Sequence, residues 1–123
     1  MLCFMSQIRN YQDLEVWKKA MKLTEAIYEH TIAYPVTERY GLVTQMRRAA
    51  VSVPSNIAEG HARNTTGEYH QHAGIASGSL AELETQIILS SKLGFMTEEV
   101  ANRVLLQCKE VGRLIGGLLK SLR

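Results

Sequence analysis

This sequence of 123 residues contains few features of a disulfide-stapled, membrane-spanning or disordered protein. It has only two cysteines, and their spacing fits neither a zinc site nor a disulfide framework. Two prolines leave room for long helices, and no apolar run approaches the roughly 18 residues of a membrane span. The first residues lack the basic start and long apolar stretch of a signal peptide. We therefore expect a cytoplasmic protein without a membrane partner.

The charge balance excludes a strongly basic nucleic-acid binder. Lysine and arginine together number 14 and aspartate and glutamate 12, so the formal net charge is +2. That charge is too weak to indicate a nucleic-acid partner by itself. With 46% hydrophobic and 21% charged residues, the composition is that of a globular protein. The length predicts one domain over residues 1–123, with residues 1–10 as a short N-terminal extension.

Apolar residues recur every three or four positions in four segments, which is the pattern of amphipathic helices. The segments are residues 13–33, 38–59, 66–92 and 98–121, with Asp13, Thr37, Thr65 and Thr97 as expected N-caps. Connections of about four to six residues make consecutive helices antiparallel. The sequence therefore predicts an all-α fold, an antiparallel up-down-up-down four-helix bundle.

Two features of the predicted helices need separate treatment, namely the core stripe of helix 1 and the proline inside helix 2. In helix 1 the expected core stripe contains Leu14, Trp17, Met21, Thr24, Ile27 or Tyr28, and Thr31. In helix 2 the stripe continues past Pro54, and an interior proline usually kinks a helix. Helix 2 is therefore predicted to be kinked at Pro54, with two shorter helices as the alternative. Gly60 is the expected end of helix 2.

A polar stripe follows one face of helix 2 and continues on helix 3. Its members are spaced by three or four residues: Gln45, Arg48, Ser52, Asn56, Glu59 and Arg63 on helix 2, and Ser79, Glu82 and Gln86 on helix 3. Lysine and glutamate, which usually cover a solvated face, are scarce there, whereas Ser, Asn, Gln and Arg suit a satisfied hydrogen-bond network. A network inside the bundle or between subunits is the prediction, and a solvated outer face is the alternative.

Glycines interrupt the two last predicted helices. They are Gly74 and Gly78 in helix 3, and Gly112, Gly116 and Gly117 in helix 4. A glycine inside a helix costs roughly 0.5–1 kcal/mol relative to alanine. This cost indicates that another backbone approaches closely at these positions. We therefore expect tight helix contacts that extend beyond one bundle, as in a homo-oligomer.

The usual spacings of catalytic and metal-binding residues do not occur in the sequence. His70 and His72 are two residues apart, so they point to different sides of a helix. The Glu-x-x-His motif of di-iron bundles and the Gly-x-Ser-x-Gly motif of hydrolases are both missing. Glu59 and Glu82 could act as acid and base, but salt bridges to nearby arginines explain them more simply. We expect no cofactor, no metal and no enzymatic activity.

Several motifs together resemble a known family. They are Asp13-Leu14-x-Val16-Trp17, then Tyr34-Pro35-x-x-Glu38-x-x-Gly41-Leu42, then the run from Gln45 to Gly60 followed by Arg63, and Ala76-x-Gly78-Ser79-Leu80-x-Glu82-Leu83. They are similar to motifs of the four-helix bundle proteins encoded by intervening sequences of bacterial 23S ribosomal RNA genes. The resemblance covers about residues 11–120, and its most specific part is the run in helix 2.

The resemblance implies properties that residue spacing does not show. It implies a bacterial protein with an up-down bundle in which helix 2 tolerates the proline as a kink. Members are similar to the accessory protein of diversity-generating retroelements, a pentameric ring that binds reverse transcriptase and RNA. By this resemblance we expect a homopentamer, with RNA or a reverse-transcriptase-like enzyme as a partner. The resemblance implies no established enzymatic activity and does not make the chain part of a retroelement.

Five basic residues are the candidates for contacting nucleic acid. They are Arg47, Arg63, Lys109, Arg113 and Lys120. Because Arg47 and Arg48 are adjacent, they point to different faces of helix 2, and we assign Arg48 to the polar network and leave Arg47 for a partner. Arginine suits carboxylate and phosphate alike. Pairing of the arginines with Glu38, Glu59 and Glu82 is therefore the alternative.

Two functions fit these expectations. The first is a non-catalytic, oligomeric binding or scaffold protein that contacts RNA or a nucleic-acid enzyme. The alternative is a purely structural, self-assembling protein with a protein partner. RNA binding through phosphate contacts would weaken steeply with salt, whereas binding to an apolar protein surface would not.

Overall fold

The computed structural model describes residues 10–123, which form four α-helices joined by short connections. The helices are α1 (Glu15–Thr31), α2 (Thr44–His61), α3 (Thr66–Lys92) and α4 (Glu98–Ser121). Two 3₁₀ turns, Tyr11–Asp13 and Val36–Glu38, precede α1 and α2, and a π-helical turn, Arg39–Val43, leads into α2. No strand occurs in residues 10–123, so the all-α prediction is confirmed. The predicted N-terminal extension lies outside the described residues except for Asn10.

Helices α3 and α4 begin and end where the sequence predicts. The hydroxyl of Thr65 accepts a hydrogen bond from the backbone N–H of Glu68 at 3.1 Å, which caps α3. The hydroxyl of Thr97 accepts from the N–H of Val100 at 3.2 Å, which caps α4. Gly94 follows α3 with φ +80°, a left-handed conformation that favours glycine and turns the chain towards α4.

The beginning of α1 differs from the prediction of an Asp13 cap. The side chain of Asn10 accepts a hydrogen bond from the N–H of Gln12 at 2.7 Å, and this bond starts a 3₁₀ turn that contains Asp13. The carboxylate of Asp13 accepts from the N–H of Asn10 at 3.4 Å, which completes a capping box around the turn. The α-helix itself therefore starts only at Glu15.

The beginning of α2 also differs, because the predicted Thr37 cap is not made. The carboxylate of Glu38 instead accepts a hydrogen bond from the N–H of Leu42 at 3.4 Å. Gly41 has the non-helical angles φ −115° and ψ −107°, so the chain bends there before the regular helix begins. The turns over residues 36–43 replace the first part of the predicted helix.

Helix α2 is one element, with buried Pro54 inside it. The alternative of two shorter helices is therefore wrong. A kink at Pro54 stays a prediction. The helix ends at His61, one residue after the predicted stop at Gly60.

Hydrogen bonds between helices show their antiparallel order. The hydroxyl of Thr24 on α1 donates to the carbonyl of Ala50 on α2 at 3.0 Å. Further along α1, the hydroxyl of Thr31 accepts from Nε of Arg47, which lies earlier on α2, at 3.0 Å. Because later residues of one helix meet earlier residues of the next, α1 and α2 run in opposite directions.

The same order relates α2, α3 and α4. Ser52 contacts Ser79 at 2.8 Å, and Met46, earlier on α2, accepts a sulfur hydrogen bond from Ser90, later on α3, at 3.5 Å. The connection from α3 to α4 spans residues 93–97, too short for any but an antiparallel return. Helix α4 also packs against α1 and closes the up-down-up-down bundle.

The four helices enclose one hydrophobic core. Its largest fully buried side chains are Leu23, Ile27, Met46, Ile57, Leu83, Ile87 and Ile115. The predicted core stripe of α1 is rotated relative to the observed one, which contains Val16, Ala20, Leu23, Ile27 and Thr31. Trp17, Met21 and Thr24 are half-buried and line a groove against α2. Tyr28, the alternative to Ile27, is 42% exposed.

Candidate nucleic-acid interface

A hydrogen-bond network joins α2 to α3 on one side of the bundle. The hydroxyls of Ser52 and Ser79 are 2.8 Å apart. Nδ2 of Asn56 donates to both the carbonyl and the hydroxyl of Ser52, at 2.9 and 3.0 Å. Oδ1 of Asn56 lies 3.1 Å from Nδ1 of His72. Because an amide oxygen only accepts hydrogen bonds, Nδ1 of His72 carries the proton.

Six residues of the predicted polar stripe lie outside this network, namely Gln45, Arg48, Glu59, Arg63, Glu82 and Gln86. Glu59 accepts from Arg63 at 2.9 Å and Glu82 from Gln86 at 3.2 Å, so both pair within their own helix. Gln45 and Arg48 are exposed and make no hydrogen bond or ion pair with any described residue. The predicted network is too large for a geometric reason. Residues spaced by three and four positions cover a broad strip of the helix surface, and only one edge of that strip faces the neighbouring helix.

The close approach that supports the network occurs at Gly60. A Cβ atom there would lie 2.8 Å from Cβ of His72 and 2.9 Å from Cδ1 of Tyr69, closer than real Cβ contacts. Glycine therefore lets the end of α2 reach the start of α3, where His72 meets Asn56. The ring of His61 also packs edge-to-face against Tyr69, with centroids 5.8 Å apart.

The five glycines for which the sequence predicts tight contacts differ in how closely other atoms approach them. A Cβ at Gly112 would meet Cδ2 of Leu80 at 3.3 Å, a close contact within the bundle. No described atom lies within 4 Å of a Cβ built at Gly74, Gly78, Gly116 or Gly117. These four positions are on the exposed sides of α3 and α4, so the bundle itself does not require glycine there.

Arg47 does not have the exposed, unpaired position assigned to it. Its Nε donates to the hydroxyl of Thr31 at 3.0 Å, and its Nη2 donates to the carbonyl of Tyr28 at 3.3 Å. The guanidinium also lies 4.5 Å from the centre of the Tyr28 ring. Arg47 thus joins α2 to α1, and its neighbour Arg48 is the arginine without a partner among the described residues. Both assignments therefore need correction, because Arg47 is held by α1 and Arg48 lies outside the polar network.

Arg63 is also held by other side chains. Its guanidinium pairs with Glu59 at 2.9 Å and with Glu68 at 4.0 Å, across the connection between α2 and α3. Pairing of the arginines with glutamates of the same chain was the alternative predicted from the sequence, and Glu59 and Arg63 are paired in this way. A pair exposed to solvent contributes about 1 kcal/mol or less, so it positions Arg63 only loosely.

The three remaining candidates form a basic stripe on the outer side of α4, defined as Lys109, Arg113 and Lys120. Spacings of four and seven residues place them on one line, roughly 16 Å long at 1.5 Å per residue. All three are exposed, and none pairs with a carboxylate of the described residues. Glu110, the acidic residue between them in sequence, pairs instead with Lys19 on α1 at 3.3 Å. The basic stripe therefore presents positive charge to solvent.

The thiol of Cys108 is buried and held in its protonated form. Burial, with a further contribution from the charge of Glu84, raises the pKa of the Cys108 thiol to about 12, so the thiolate that would react is scarce. Across residues 10–123, no three side chains of His, Cys, Asp or Glu come together as a metal site. Nor does that part contain a helix of the length and apolarity needed to cross a membrane.

Comparison with known proteins identifies the family. The family described as 23S rRNA-intervening sequence protein matches residues 12–117, which include all of α1, α2 and α3 and most of α4. The chain belongs to this family. No curated protein matches the sequence. The family description names a gene location and no activity, substrate or partner.

Sequence reasoning missed two residues that position this surface. His72 completes the network with Asn56, and it precedes Ser79 by seven residues, or two helical turns. That spacing could have placed it on the polar stripe. Thr31 was assigned to the apolar core, but its hydroxyl holds Arg47. Nothing in the sequence pattern distinguishes a threonine that packs from one that also accepts a hydrogen bond across helices.

Proposed function

We propose that the protein is a non-catalytic, oligomeric binding protein that contacts RNA in the cytoplasm through the basic stripe of α4. The observation that carries the proposal is a line of three exposed cations without carboxylate partners. Lysine and arginine contacts to phosphates supply most of the sequence-independent affinity for nucleic acids. Gly116 lies between Arg113 and Lys120, and no atom of the described residues comes within 4 Å of a Cβ built there, so a phosphate backbone can approach the helix.

Oligomerisation is part of the proposal because one subunit attracts RNA only weakly. The net charge of the chain is +2, and a single basic stripe offers three cations. An assembly, a pentamer by the family resemblance, repeats the stripe in every subunit. Linked weak contacts gain affinity by avidity without any new interaction. An enzyme bound to the same RNA would then be held beside the assembly.

A salt series tests the proposal directly. The affinity for a single-stranded RNA is measured for the wild type and for a triple variant in which Lys109, Arg113 and Lys120 are replaced by alanine. Phosphate binding predicts that log affinity falls linearly with log salt, by about 0.7 per phosphate contacted. We expect the slope of the triple variant to be shallower by up to about two units for each subunit that engages the RNA, since each such subunit loses three contacts.

A charge-matched control separates the stripe from net charge. Lys18, Lys22 and Lys92 are exposed lysines outside α4 that make no ion pair with a described residue. Replacing these three by alanine removes the same charge and should leave the slope close to that of the wild type. Equal losses in both triple variants, or no binding by the wild type at about 50 mM salt, would refute the proposal.

A second candidate function is a purely structural, self-assembling protein with a protein partner. The observation that favours it is the number of exposed apolar side chains on α3, among them Ile75, Ile88 and Leu89. Exposed apolar side chains are typical of surfaces that contact other proteins when they form a patch. If this candidate is right, RNA binding is absent while self-association remains.

A further inference from the structure

A hollow of about 220 Å³ lies between the end of α1 and the π-helical turn that leads into α2, and it is called here the arginine hollow. Two arginines and several apolar residues line it, among them Arg39, Arg47, Ile32, Tyr34, Val36 and Val43. Ligand sites are concave and mostly apolar, with a few polar groups that orient the ligand. Sites for drug-sized ligands enclose roughly 300–1,000 Å³, so the arginine hollow suits one small charged group.

The charges at the arginine hollow are all positive, because no carboxylate lines it. The acidic residue nearest in sequence is Glu38, whose carboxylate accepts a hydrogen bond from the N–H of Leu42 at 3.4 Å. Exposed Glu29 of α1 makes no ion pair with either arginine. Arg39 is exposed and Arg47 half-buried, and neither is paired with a carboxylate of the described residues. Charges taken out of water are usually paired, so the arginine hollow attracts an anion.

Arg47 is held in position before any ligand binds. Its Nε donates to the hydroxyl of Thr31 at 3.0 Å, and its Nη2 donates to the carbonyl of Tyr28 at 3.3 Å. The centre of the Tyr28 ring lies 4.5 Å from Cζ of Arg47. A guanidinium has five N–H donors, so these two bonds leave three N–H groups for a ligand. A group that is already fixed loses little conformational freedom on binding.

The anion that best fits two arginines is a phosphate monoester. The planar guanidinium matches the oxygens of a phosphate and can donate two parallel hydrogen bonds to them. A phosphate monoester carries about −1.5 to −2 charges at pH 7, whereas a carboxylate or a phosphate diester carries one. Two cations balance the monoester. The π-helical turn Arg39–Val43, which positions Arg39, is a rare conformation that occurs frequently at functional sites.

We infer that the arginine hollow binds a phosphate monoester, with the phosphate oxygens between Arg39 and Arg47. Two sources supply this group, namely a free mononucleotide and the 5′-phosphorylated end of an RNA. The arginine hollow shares no residue with the basic stripe of α4, which is proposed to contact the phosphate diesters along an RNA. The inference therefore goes beyond the proposed function and does not depend on it.

Calorimetric titration with adenosine 5′-monophosphate at millimolar concentrations tests the first source. Adenosine, which lacks the phosphate, is the matched ligand control. Circular dichroism establishes that each protein variant folds. Arg39→Ala removes one cation without breaking an ion pair or a side-chain hydrogen bond among the described residues. Val36→Glu adds a carboxylate at the arginine hollow, at a residue that is 76% exposed.

Arg103→Ala is the matched protein control, because Arg103 is an exposed arginine on α4 that makes no ion pair with a described residue and does not line the arginine hollow. We expect the wild type and Arg103→Ala to bind adenosine 5′-monophosphate equally well and to prefer it to adenosine. Arg39→Ala and Val36→Glu should each weaken this binding about tenfold or more, since a hydrogen bond between charged groups is lost or opposed. The triple alanine variant of the basic stripe should bind like the wild type, which separates this inference from the proposed function.

Two short RNAs that differ only in having a 5′-phosphate or a 5′-hydroxyl test the second source. If the arginine hollow holds an RNA end, the 5′-phosphate raises the affinity of the wild type, and Arg39→Ala removes this advantage even when the free mononucleotide does not bind. The inference is wrong if neither phosphorylated ligand is preferred to its counterpart without the phosphate. It is equally wrong if Arg39→Ala or Val36→Glu leaves the preference for phosphate unchanged, or if Arg103→Ala reduces it as much.

Discussion

Replacing Gly60 by alanine should destabilise the protein, whereas the same replacement at Gly116 should stabilise it. The new methyl group at position 60 would lie 2.8 Å from Cβ of His72 and 2.9 Å from Cδ1 of Tyr69. Within residues 10–123 no atom comes within 4 Å of a Cβ built at position 116, although it also lies inside a helix. The two variants therefore make the same chemical change in opposite surroundings.

The magnitudes follow from two opposing terms. An extra methyl group in a closely packed place costs about 1–3 kcal/mol, because neighbouring side chains or backbone must move. Replacing a helical glycine by alanine gains roughly 0.5–1 kcal/mol. For Gly60→Ala the net change in the free energy of unfolding is thus a loss of up to about 2.5 kcal/mol, with a middle value of about 1 kcal/mol. For Gly116→Ala only the gain of roughly 0.5–1 kcal/mol from replacing a helical glycine applies.

Urea unfolding followed by circular dichroism measures both changes, at one fixed protein concentration because an oligomer unfolds in a concentration-dependent way. The two variants should differ by roughly 2 kcal/mol, or by about 8 °C in thermal midpoint for a domain of this size. If Gly60→Ala is less stable than Gly116→Ala by under about 1 kcal/mol, the ends of α2 and α3 do not pack closely at Gly60.

Three further predictions concern single side chains. Asn56→Ala should lower the free energy of unfolding by roughly 1–3 kcal/mol, because it leaves the hydrogen-bonding groups of the network unpaired, and a change within about 0.5 kcal/mol in urea unfolding would argue against the network. Arg47→Ala should lower the free energy of unfolding by about 1–2 kcal/mol in the same assay. Arg48→Ala should change it by less than about 0.5 kcal/mol at concentrations where the protein is monomeric. Equal effects would contradict the different roles of the two arginines. In a Cys3→Ser background, Cys108 should not react with a thiol reagent at pH 8 until the protein is unfolded, because burial raises the pKa of its thiol to about 12. Rapid labelling of the folded protein would instead show that the thiol is accessible.

The candidate site could be predicted only in part. The sequence indicates which residue types lie on the outer helices, and Lys109, Arg113 and Lys120 can be placed on one line from their spacing alone. Their lack of carboxylate partners depends on where other helices lie, as Glu110 shows by pairing with Lys19 of α1. A charge on a helix surface is available to a partner only if no neighbouring element neutralises it. Sequence spacing contains no information on that neighbour.

The sequence by itself determined the number of helices, the extents of α3 and α4, and the order in which the helices follow one another. These features depend on interactions within one or two helical turns, such as the caps at Thr65 and Thr97 and the left-handed Gly94. Such capping interactions can be predicted from the sequence because both partners of each hydrogen bond are only a few residues apart.

The tertiary structure alone decided which side of each helix faces which neighbour. Consecutive residues of a helix point about 100° apart, so Arg47 and Arg48 are equivalent until the position of α1 is known. In the same way, Trp17 and Val16 compete for the core of α1, and only the packing of α2 and α4 places Val16 inside. Gly60 is a further case, because its role depends on His72 and Tyr69 of another helix. Choices of this kind are made by contacts between residues distant in sequence, which the periodicity of one helix does not record.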